Sequence, residues 1–358
     1  MTQINTEAGL LVVGSYALAT EPGLHLVRFN AAANQFTLIG QYTGIANPSF
    51  LVIHPNRRWL YAVSETSAGS VWALKLAAAS PTLIPINQQP SGGDDPCHLQ
   101  LDPSGQWLLV SNYSSGSVAV FPLQPDGSVG AMSDRVQHSG SSIHPGRQEK
   151  AHAHSTCFTA DGRFVIVADL GLDELRVYAL APETGRLTPQ ARFSTRPGAG
   201  PRHMVFHPRG RVLYSANELD NTVTVYGYDA GQLQVQQTLT TLPPGVSENA
   251  VAHILITPSG RWLYVSNRGH NSIALFAVAD NGHLTHQGFF PCAGDWPRHF
   301  TLSSNHLFVA NQYSHTVTAL LLHPNGSDLS LPLANVAILA ASCVQSLPST
   351  VNTEKLTP

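Results

Sequence analysis

Charged residues are scarce in this chain: Asp, Glu, Lys and Arg make up 11% of its 358 residues, against about 25% in typical soluble proteins. The formal net charge is −3 and no Lys/Arg-rich run is present, so we expect no nucleic-acid partner. No segment approaches the ~20 consecutive apolar residues of a membrane span, and Met1 to Leu10 lacks the pattern of a secretory signal. We therefore expect a cytoplasmic protein without a membrane partner.

Cysteine is scarce as well. The four cysteines lie far apart and include no Cys-x-x-Cys pair, which argues against a disulfide framework or a structural zinc site. By contrast, 29 glycines and 25 prolines are spread along the whole chain. That distribution is typical of many short strands joined by tight turns, so the composition favours a β-rich fold.

One sequence motif recurs along the chain, and its clearest copies are 96–112, 153–169, 201–217 and 251–267. Each copy reads as an apolar strand, a turn at Pro-x-Gly or a close variant, and a second strand ending in Ser-Asn or a near equivalent. An alternating third strand follows, as in Ser117 to Phe121, and then a weaker fourth strand, as in Leu187 to Phe193. Four strands per repeat are typical of a propeller blade.

The repeat count predicts an all-β, seven-bladed β-propeller with four antiparallel strands per blade. Two further repeats flank the four clear copies, and an insertion at Asp126 to Lys150 follows the first of those copies. The chain ends supply the last blade, because 10–16 and 23–29 resemble second and third strands while 342–347 resembles the missing first strand. We expect one domain over 1–358, with this closing blade at 10–45 plus 342–347 and the other blades at 47–90, 95–146, 151–197, 201–245, 250–293 and 296–338.

Two positions of the repeat differ from blade to blade. The first strand lies innermost and the second runs antiparallel to it, so the start of the first and the end of the second meet at one mouth of the central channel. The residues that open the first strand are Ser49, Cys97, His154, Arg202, Ala252, Arg298 and Cys343. The residues that follow the second strand are Tyr16, Glu65, Tyr113, Leu170, Glu218, Arg268 and Gln312. Several charged residues at one mouth predict a functional site there.

Other polar residues repeat with the fold, and we interpret them as structural. Histidine recurs one position after the mouth residue, at His98, His203, His253 and His299, where we expect hydrogen bonds between blades. A calcium site could use the recurring oxygens of Asn112, Asp169, Asn217, Asn267 and Asn311, although their recurrence favours a structural role. A second metal hypothesis combines His152 and His154 with Glu218.

The motifs Arg147 to His154, Gly200 to His203, Asn217-Glu218 and Asn267-Arg268 resemble the lactonase family of seven-bladed propellers. That family includes the cytoplasmic 6-phosphogluconolactonases and the fungal carboxy-cis,cis-muconate cyclase. The chain departs from it at Lys150-Ala151, where the family commonly carries a proline before the first histidine. The resemblance implies a metal-independent site without a cofactor, and its catalytic residues here would be His154, Arg202, Glu218 and Arg268. Residues of the same rim complete the predicted site as substrate-binding groups: His152, Arg298, Arg147, Gln148 and Glu65.

The resemblance implies hydrolysis of 6-phospho-D-glucono-1,5-lactone to 6-phosphogluconate, a step of the pentose phosphate pathway. Glu218 would be the general base, His154 and Arg202 would stabilise the oxyanion or protonate the leaving ring oxygen, and Arg268 or Arg298 would bind the phosphate. A lactonising cycloisomerase of the muconate type and a non-catalytic propeller that binds a ligand or partner are the alternatives. The expected partner is a small anionic lactone, and the expected state is a monomer or a weak homo-oligomer.

Overall fold

The computed structural model describes residues 9–77, 82–323 and 327–347. These residues form twenty-eight β-strands, which make seven four-stranded antiparallel sheets. The sheets are arranged in a ring as the blades of a seven-bladed β-propeller, which confirms the predicted fold. The sheets span residues 9–43 with 341–347, and then 51–90, 96–137, 153–194, 201–240, 250–291 and 297–337. None of the described segments forms a helix with the length and apolar character that crossing a membrane requires.

The first strands of neighbouring blades contact one another around the ring, so they line the central channel. These strands are Leu51–Ile53 (β4), Pro96–Leu101 (β8), Ala153–Phe158 (β12), Pro201–Phe206 (β16), Ala250–Ile256 (β20), Pro297–Ser303 (β24) and Ala341–Leu347 (β28). The second strands are Gly9–Ser15 (β1), Trp59–Ser64 (β5), Trp107–Asn112 (β9), Phe164–Asp169 (β13), Val212–Asn217 (β17), Trp262–Arg268 (β21) and His306–Asn311 (β25).

The third and fourth strands form the outer half of each blade. The third strands are Pro22–Asn30 (β2), Ser70–Ala77 (β6), Ser117–Pro122 (β10), Glu174–Leu180 (β14), Thr222–Asp229 (β18), Ser272–Val278 (β22) and Thr316–Leu322 (β26). The fourth strands are Gln35–Thr43 (β3), Thr82–Pro90 (β7), Asp134–Gln137 (β11), Leu187–Ser194 (β15), Gln232–Thr240 (β19), Leu284–Pro291 (β23) and Leu329–Ala337 (β27).

The two ends of the chain close the ring in one blade, as predicted. Strand β28 pairs with β1 in antiparallel register, with Leu347 opposite Leu10 and Val344 opposite Val13. The first and last described strands therefore share backbone hydrogen bonds, and the ring has no open sheet edge between its ends.

The hydrophobic core lies between adjacent blades. Apolar side chains of β17, β18, β20, β21 and β22 form one such cluster, in which Tyr214, Leu263 and Phe276 are fully buried. The second strands are buried on both faces, whereas outer strands such as β19 expose most of their residues. This gradient explains why the inner strands carry the clear apolar motif and the outer strands a weak one.

The turn between the first and second strands contains one residue with a left-handed backbone conformation. This explains why the motif carries glycine there. Gly105, Gly162, Gly210 and Gly260 occupy this position with φ between 68° and 72°. In the turn at Pro55 to Arg57, Arg57 takes the place of the glycine and adopts the same left-handed conformation, with φ 60°.

The recurring asparagines at the ends of the second strands join strands within each blade. Asn217 donates from Nδ2 to the hydroxyls of Thr222 and Thr224, and Asn311 donates in the same way to Thr318. These side chains are fully or almost fully buried. These hydrogen bonds join the second and third strands of their blades, which is what a structural role of the recurring asparagines requires.

The insertion at 126–150 contains strand β11, the short fourth strand of its blade. Beyond β11 the chain crosses to the next blade, where Nδ1 of His138 lies 2.6 Å from Oδ2 of Asp169. The other oxygen of Asp169 accepts a hydrogen bond from the backbone N–H of His152 at 2.8 Å. This blade thus carries Asp where four others carry Asn, and the carboxylate holds the returning insertion in place.

Candidate active site

A β-bulge marks the mouth end of the first strand in six of the seven blades. In each of them one extra residue of the first strand interrupts its pairing with the second strand. The bulges at β12, β16 and β24 fall on His154, Arg202 and Arg298. Because a bulge redirects the side chain that it carries, consecutive residues can both face the channel there. A single-sequence pattern of alternation does not reveal this feature.

One assignment of the mouth positions was wrong. In the closing blade the bulged residue is Ser342, and Cys343 takes the next position, which histidine occupies in four other blades. The error arose because the first and second strands of this blade come from opposite ends of the chain. They share no turn glycine on which the repeat could be aligned.

Glu218 stands at the centre of a buried group of arginines. Its Oε1 lies 2.5 Å from Nη2 of Arg147, and its Oε2 lies 2.7 Å from Nη2 of Arg268 and 3.0 Å from Nε of Arg202. Only Arg147 is substantially exposed, at 39% of its side-chain surface. Two neighbouring blades and the insertion contribute to this cluster, because Arg202 and Glu218 share one blade, Arg268 belongs to the next, and Arg147 arrives on the insertion.

The arginines are held by backbone carbonyls as well as by Glu218. Arg202 donates from Nη1 to the carbonyl of Ala252 at 2.6 Å, and Arg268 donates to the carbonyls of Ala250 and Val251. Nε of Arg202 is buried and forms its ion pair with Oε2 of Glu218 without ideal hydrogen-bond geometry. Charge and backbone contacts together therefore fix the guanidinium groups of Arg202 and Arg268 at the mouth.

These contacts shift the pKa values of the cluster. Burial alone would raise the pKa of Glu218, but Arg268, Arg202 and Arg147 together lower it well below its usual value. Burial and then the neighbouring Arg268 lower the pKa of Arg202 to about 9. Both groups therefore stay charged at neutral pH, and the carboxylate is a weak base.

His154 lies beside this cluster and is nearly buried. Burial, followed by the positive charge of Arg202, lowers its pKa well below the usual value, so the imidazole is neutral at neutral pH. Its Nδ1 lies 3.9 Å from Sγ of Cys97, and its ring meets the edge of Tyr113 at 5.5 Å. A neutral imidazole retains a lone pair that can accept a proton.

Glu65 is the second carboxylate at the rim of the mouth. It accepts hydrogen bonds from the hydroxyls of Tyr16 and Ser49. Arg298 lies over the ring of Tyr16, with Cζ 5.2 Å from the ring centroid. The half-buried Arg298 forms no ion pair with a carboxylate among the described residues.

Residues 10–346 match a family model described as Lactonase, 7-bladed beta-propeller. The chain belongs to this lactonase family. It is 32% identical to the 6-phosphogluconolactonase of Bacillus subtilis over 342 residues, which is 94% of this chain and 97% of the relative. It is 34% identical to the 6-phosphogluconolactonase of Formosa agariphila over 82% of this chain and 87% of the relative.

A solved structure shares the fold closely. The periplasmic gluconolactonase of Pseudomonas aeruginosa superposes with a TM-score of 0.90 at 30% identity, covering 95% of this chain and 99% of that chain. The likeness therefore extends over the entire propeller of this lactonase and is not confined to a few motifs.

Two predicted substrate-binding residues of this lactonase lie beneath the mouth instead of facing it. His152 is stacked on Tyr113, and its nitrogens lie 3.1 Å from the carbonyl oxygen of Tyr113 and 3.2 Å from Oε1 of Glu149. Gln148 is fully buried and donates to the carbonyl of Leu170. Both side chains hold the insertion that carries Arg147.

The recurring histidines contact one another across neighbouring blades. Nδ1 of His203 lies 2.9 Å from Nδ1 of His253 in the next blade, which confirms a hydrogen bond between blades. The ring of His253 stacks on that of His299 at 3.9 Å, and His98 and His154 both lie against His203. The imidazole layer, defined as these five histidines, is the floor of the site.

The metal hypothesis gains no support from the geometry. His152 is turned to Tyr113 and Glu149, whereas Glu218 is occupied by three arginines, so these side chains do not converge on one point. Among the residues that the structure describes, no three His, Cys, Asp or Glu side chains come together as metal ligands.

A cavity of about 430 Å³ opens near the Pro-x-Gly end of the channel and includes Arg57, Gln100 and Gln345 in its lining. It contains none of the predicted site residues.

Sequence reasoning placed Tyr16, Ser49 and Tyr113 at the mouth without giving them a role. They hold Glu65, Arg298 and His152 in place. Their position in the repeat could have pointed to this role, because Tyr16 and Tyr113 occupy the same repeat position as Glu218 and Arg268.

Proposed function

We propose that this lactonase hydrolyses 6-phospho-D-glucono-1,5-lactone to 6-phosphogluconate. The observation that carries the proposal is the charge at the mouth: four arginines face only two carboxylates, which leaves two positive charges in excess. A phosphate ester is close to a dianion at neutral pH, so its charge matches that excess. The names of the B. subtilis and F. agariphila relatives support the same substrate.

In this proposal neutral His154 acts as the base. It accepts a proton from water as the water oxygen bonds to the lactone carbonyl carbon. The tetrahedral oxyanion then collapses, the bond from carbon to the ring oxygen breaks, and the histidinium returns the proton to the leaving ring oxygen. Water is consumed and one carboxylic acid and one hydroxyl form, so the step balances.

Arg202 and Arg268 stabilise the oxyanion. Both guanidinium groups are buried, and buried positive groups beside a developing negative charge are far more effective than exposed ones. Glu218 holds these two arginines and Arg147 in position. We favour this role over the general base expected from the sequence, since both oxygens of Glu218 are already engaged by arginines.

Arg298 binds the phosphate, and Arg147 contributes a further positive charge at the same mouth. Burial lowers the pKa of Arg298, but Tyr16, Glu65 and Glu218 outweigh that effect, so the guanidinium remains charged. Its planar donor fork suits the oxygens of a phosphate group.

Two variants test the assignment of the base. Loss of a general base acts on the transition state, so we expect His154→Gln to lower kcat by about 100-fold with little change in KM. Glu218→Gln should lower kcat and also raise KM, because it releases three arginines at once. Steady-state hydrolysis of freshly generated lactone provides both constants. If Glu218→Gln lowers kcat at unchanged KM while His154→Gln stays active, Glu218 is the base.

The excess positive charge would also suit a substrate with two carboxylates, so lactonising cycloisomerisation of the muconate type is the second candidate. An assay of both substrates separates the two reactions, and binding of either without turnover would indicate a non-catalytic propeller. The cytoplasmic location, the metabolic pathway and the monomeric or weakly associated state stay predictions. The Pseudomonas relative is named as periplasmic, so the fold does not determine the compartment.

A further inference from the structure

A left-handed residue precedes the first strand in five of the seven blades. These residues lie two positions before the mouth residue of the first strand, have φ between 46° and 65°, and are Asn47, Asp95, Gly200, Trp296 and Ala340. In each case the carbonyl accepts a hydrogen bond from the backbone N–H of the mouth residue that follows the second strand. The fold therefore uses this conformation to join the two strands at the mouth.

Trp296 is the exception in this set. Asn, Asp and Gly adopt left-handed conformations readily and Ala is small, whereas a bulky residue at φ 65° is a genuine outlier. The hydrogen bond to Gln312 uses only the backbone of Trp296, so it does not require an indole. Backbone strain that a smaller residue would avoid is typical of functional positions.

The indole lies inside the charged mouth. Cζ of Arg268 is 5.4 Å from the centroid of its ring, and the ring of Tyr313 stacks against it at 4.8 Å and an interplanar angle of 21°. Arg298 follows two residues later. Trp296 is half-buried and Tyr313 is 53% exposed, so the pair leaves aromatic surface open beside the arginines.

The position of Arg268 does not depend on this indole, because Glu218 and two backbone carbonyls already hold its guanidinium. The aromatic surface therefore serves something other than the fold or the arginine. Aromatic rings in sugar sites pack against the C–H face of a sugar ring, and a six-membered lactone presents such a face.

We propose that Trp296, together with Tyr313, forms the wall that selects the cyclic lactone over its open-chain acid. The inference rests on the proposed function and adds the residues that determine ring specificity. Substrate and product carry the same phosphate for Arg298, but only the lactone has a ring face to pack on the wall. The wall thus favours substrate binding and product release.

The test compares KM for 6-phospho-D-glucono-1,5-lactone with the inhibition constant of 6-phosphogluconate in Trp296→Gly. Glycine is the natural residue at the same position of another blade, Gly200, so the backbone conformation is retained. We expect KM to rise about tenfold while the product inhibition constant changes less than about twofold. Trp296→Phe should restore KM to within about threefold of the wild type.

Two further variants keep the test decisive. Ala340→Gly makes the matched backbone change in the closing blade and should leave both constants unchanged. Tyr313→Ala removes the exposed half of the wall without a core change, and it should raise KM alone even if Trp296→Gly folds poorly. The inference would be overturned if KM were unchanged in Tyr313→Ala and in folded Trp296→Gly. It would also be overturned if KM and the product inhibition constant changed equally. Either result would leave the proposed function standing. Absence of lactone turnover by the wild type would instead overturn the proposed function and the inference with it.

Discussion

Glu218 is the residue on which the charged mouth depends. It is 4% exposed and contacts three arginines that come from different parts of the ring. Buried charges of one sign would repel each other and lose hydration without a counter-charge, so the carboxylate allows this concentration of arginines. A chain with few charged residues has thus placed several of them around one point.

Arg298 offers the most direct test at the scale of a single residue. Because it has no carboxylate partner among the described residues and lies on the rim, its removal should weaken ground-state and transition-state binding equally. We expect Arg298→Ala to raise KM for the phosphorylated lactone about 30-fold with kcat within about threefold of the wild type.

The control for that prediction is the unphosphorylated substrate. D-glucono-1,5-lactone lacks the group that Arg298 binds, so its kcat/KM should be the same in Arg298→Ala and the wild type. A similar loss for both lactones would assign Arg298 to the reacting centre and not to the phosphate.

At the scale of the element, the insertion is the part of the site that the repeat does not supply. It carries Arg147 into the mouth, and it passes close to Gly171 at the end of β13. A Cβ at Gly171 would overlap the carbonyl oxygen of Lys150 and lie 2.8 Å from the backbone nitrogen of His152. Glycine is therefore required here for the close approach of two backbones and not for its dihedral freedom.

Gly171→Ala should displace the insertion. We expect a loss of about 2 kcal/mol in the free energy of unfolding, since overpacking at a rigid backbone costs about 1–3 kcal/mol. KM should rise together with that loss, because Arg147 moves with the segment. Urea denaturation and steady-state kinetics measure the two effects. Gly146→Ala is the matched control, because nothing lies within 4 Å of its added Cβ, and it should match the wild type.

The elements show how far the sequence could predict this molecule. The repeat located the strands and the closing blade because the inner strands are buried on both faces and carry an unbroken apolar motif. It also brought His154, Arg202, Glu218 and Arg268 to one mouth. It could not show that Gln148 and His152 contact backbone carbonyls, nor that Trp296 adopts a left-handed conformation. Those features depend on contacts between segments far apart in sequence, which periodicity does not encode.

At the scale of the whole molecule, the channel contains a layer of neutral imidazoles. Burial is the main cause that lowers the pKa of His98, His154, His203, His253 and His299, to about 3 for His98 and His299. The unfolded chain binds protons at these groups near pH 6.5, whereas the folded channel does not. Stability contributed by the neutral forms is therefore present above pH 6.5 and is lost as the pH falls below that value.

We expect the free energy of unfolding to fall by about 6 kcal/mol between pH 7 and pH 5.5, if all five histidines stay neutral in the folded state. Denaturant titrations at several pH values measure the slope. His253→Asn removes one titrating ring from the layer and should reduce the slope by about one fifth. A free energy that stays constant over this range would show that the layer takes up protons without unfolding.

The central claim for the whole molecule is that the excess positive charge at one mouth of the propeller selects a phosphorylated lactone. The most direct test compares kcat/KM of the wild type for 6-phospho-D-glucono-1,5-lactone and for D-glucono-1,5-lactone, at one pH and low ionic strength. We expect the phosphorylated lactone to be preferred by at least about 100-fold, which corresponds to about 2.7 kcal/mol of charge-assisted binding. Equal values for the two lactones, or faster turnover of the unphosphorylated one, would contradict the claim.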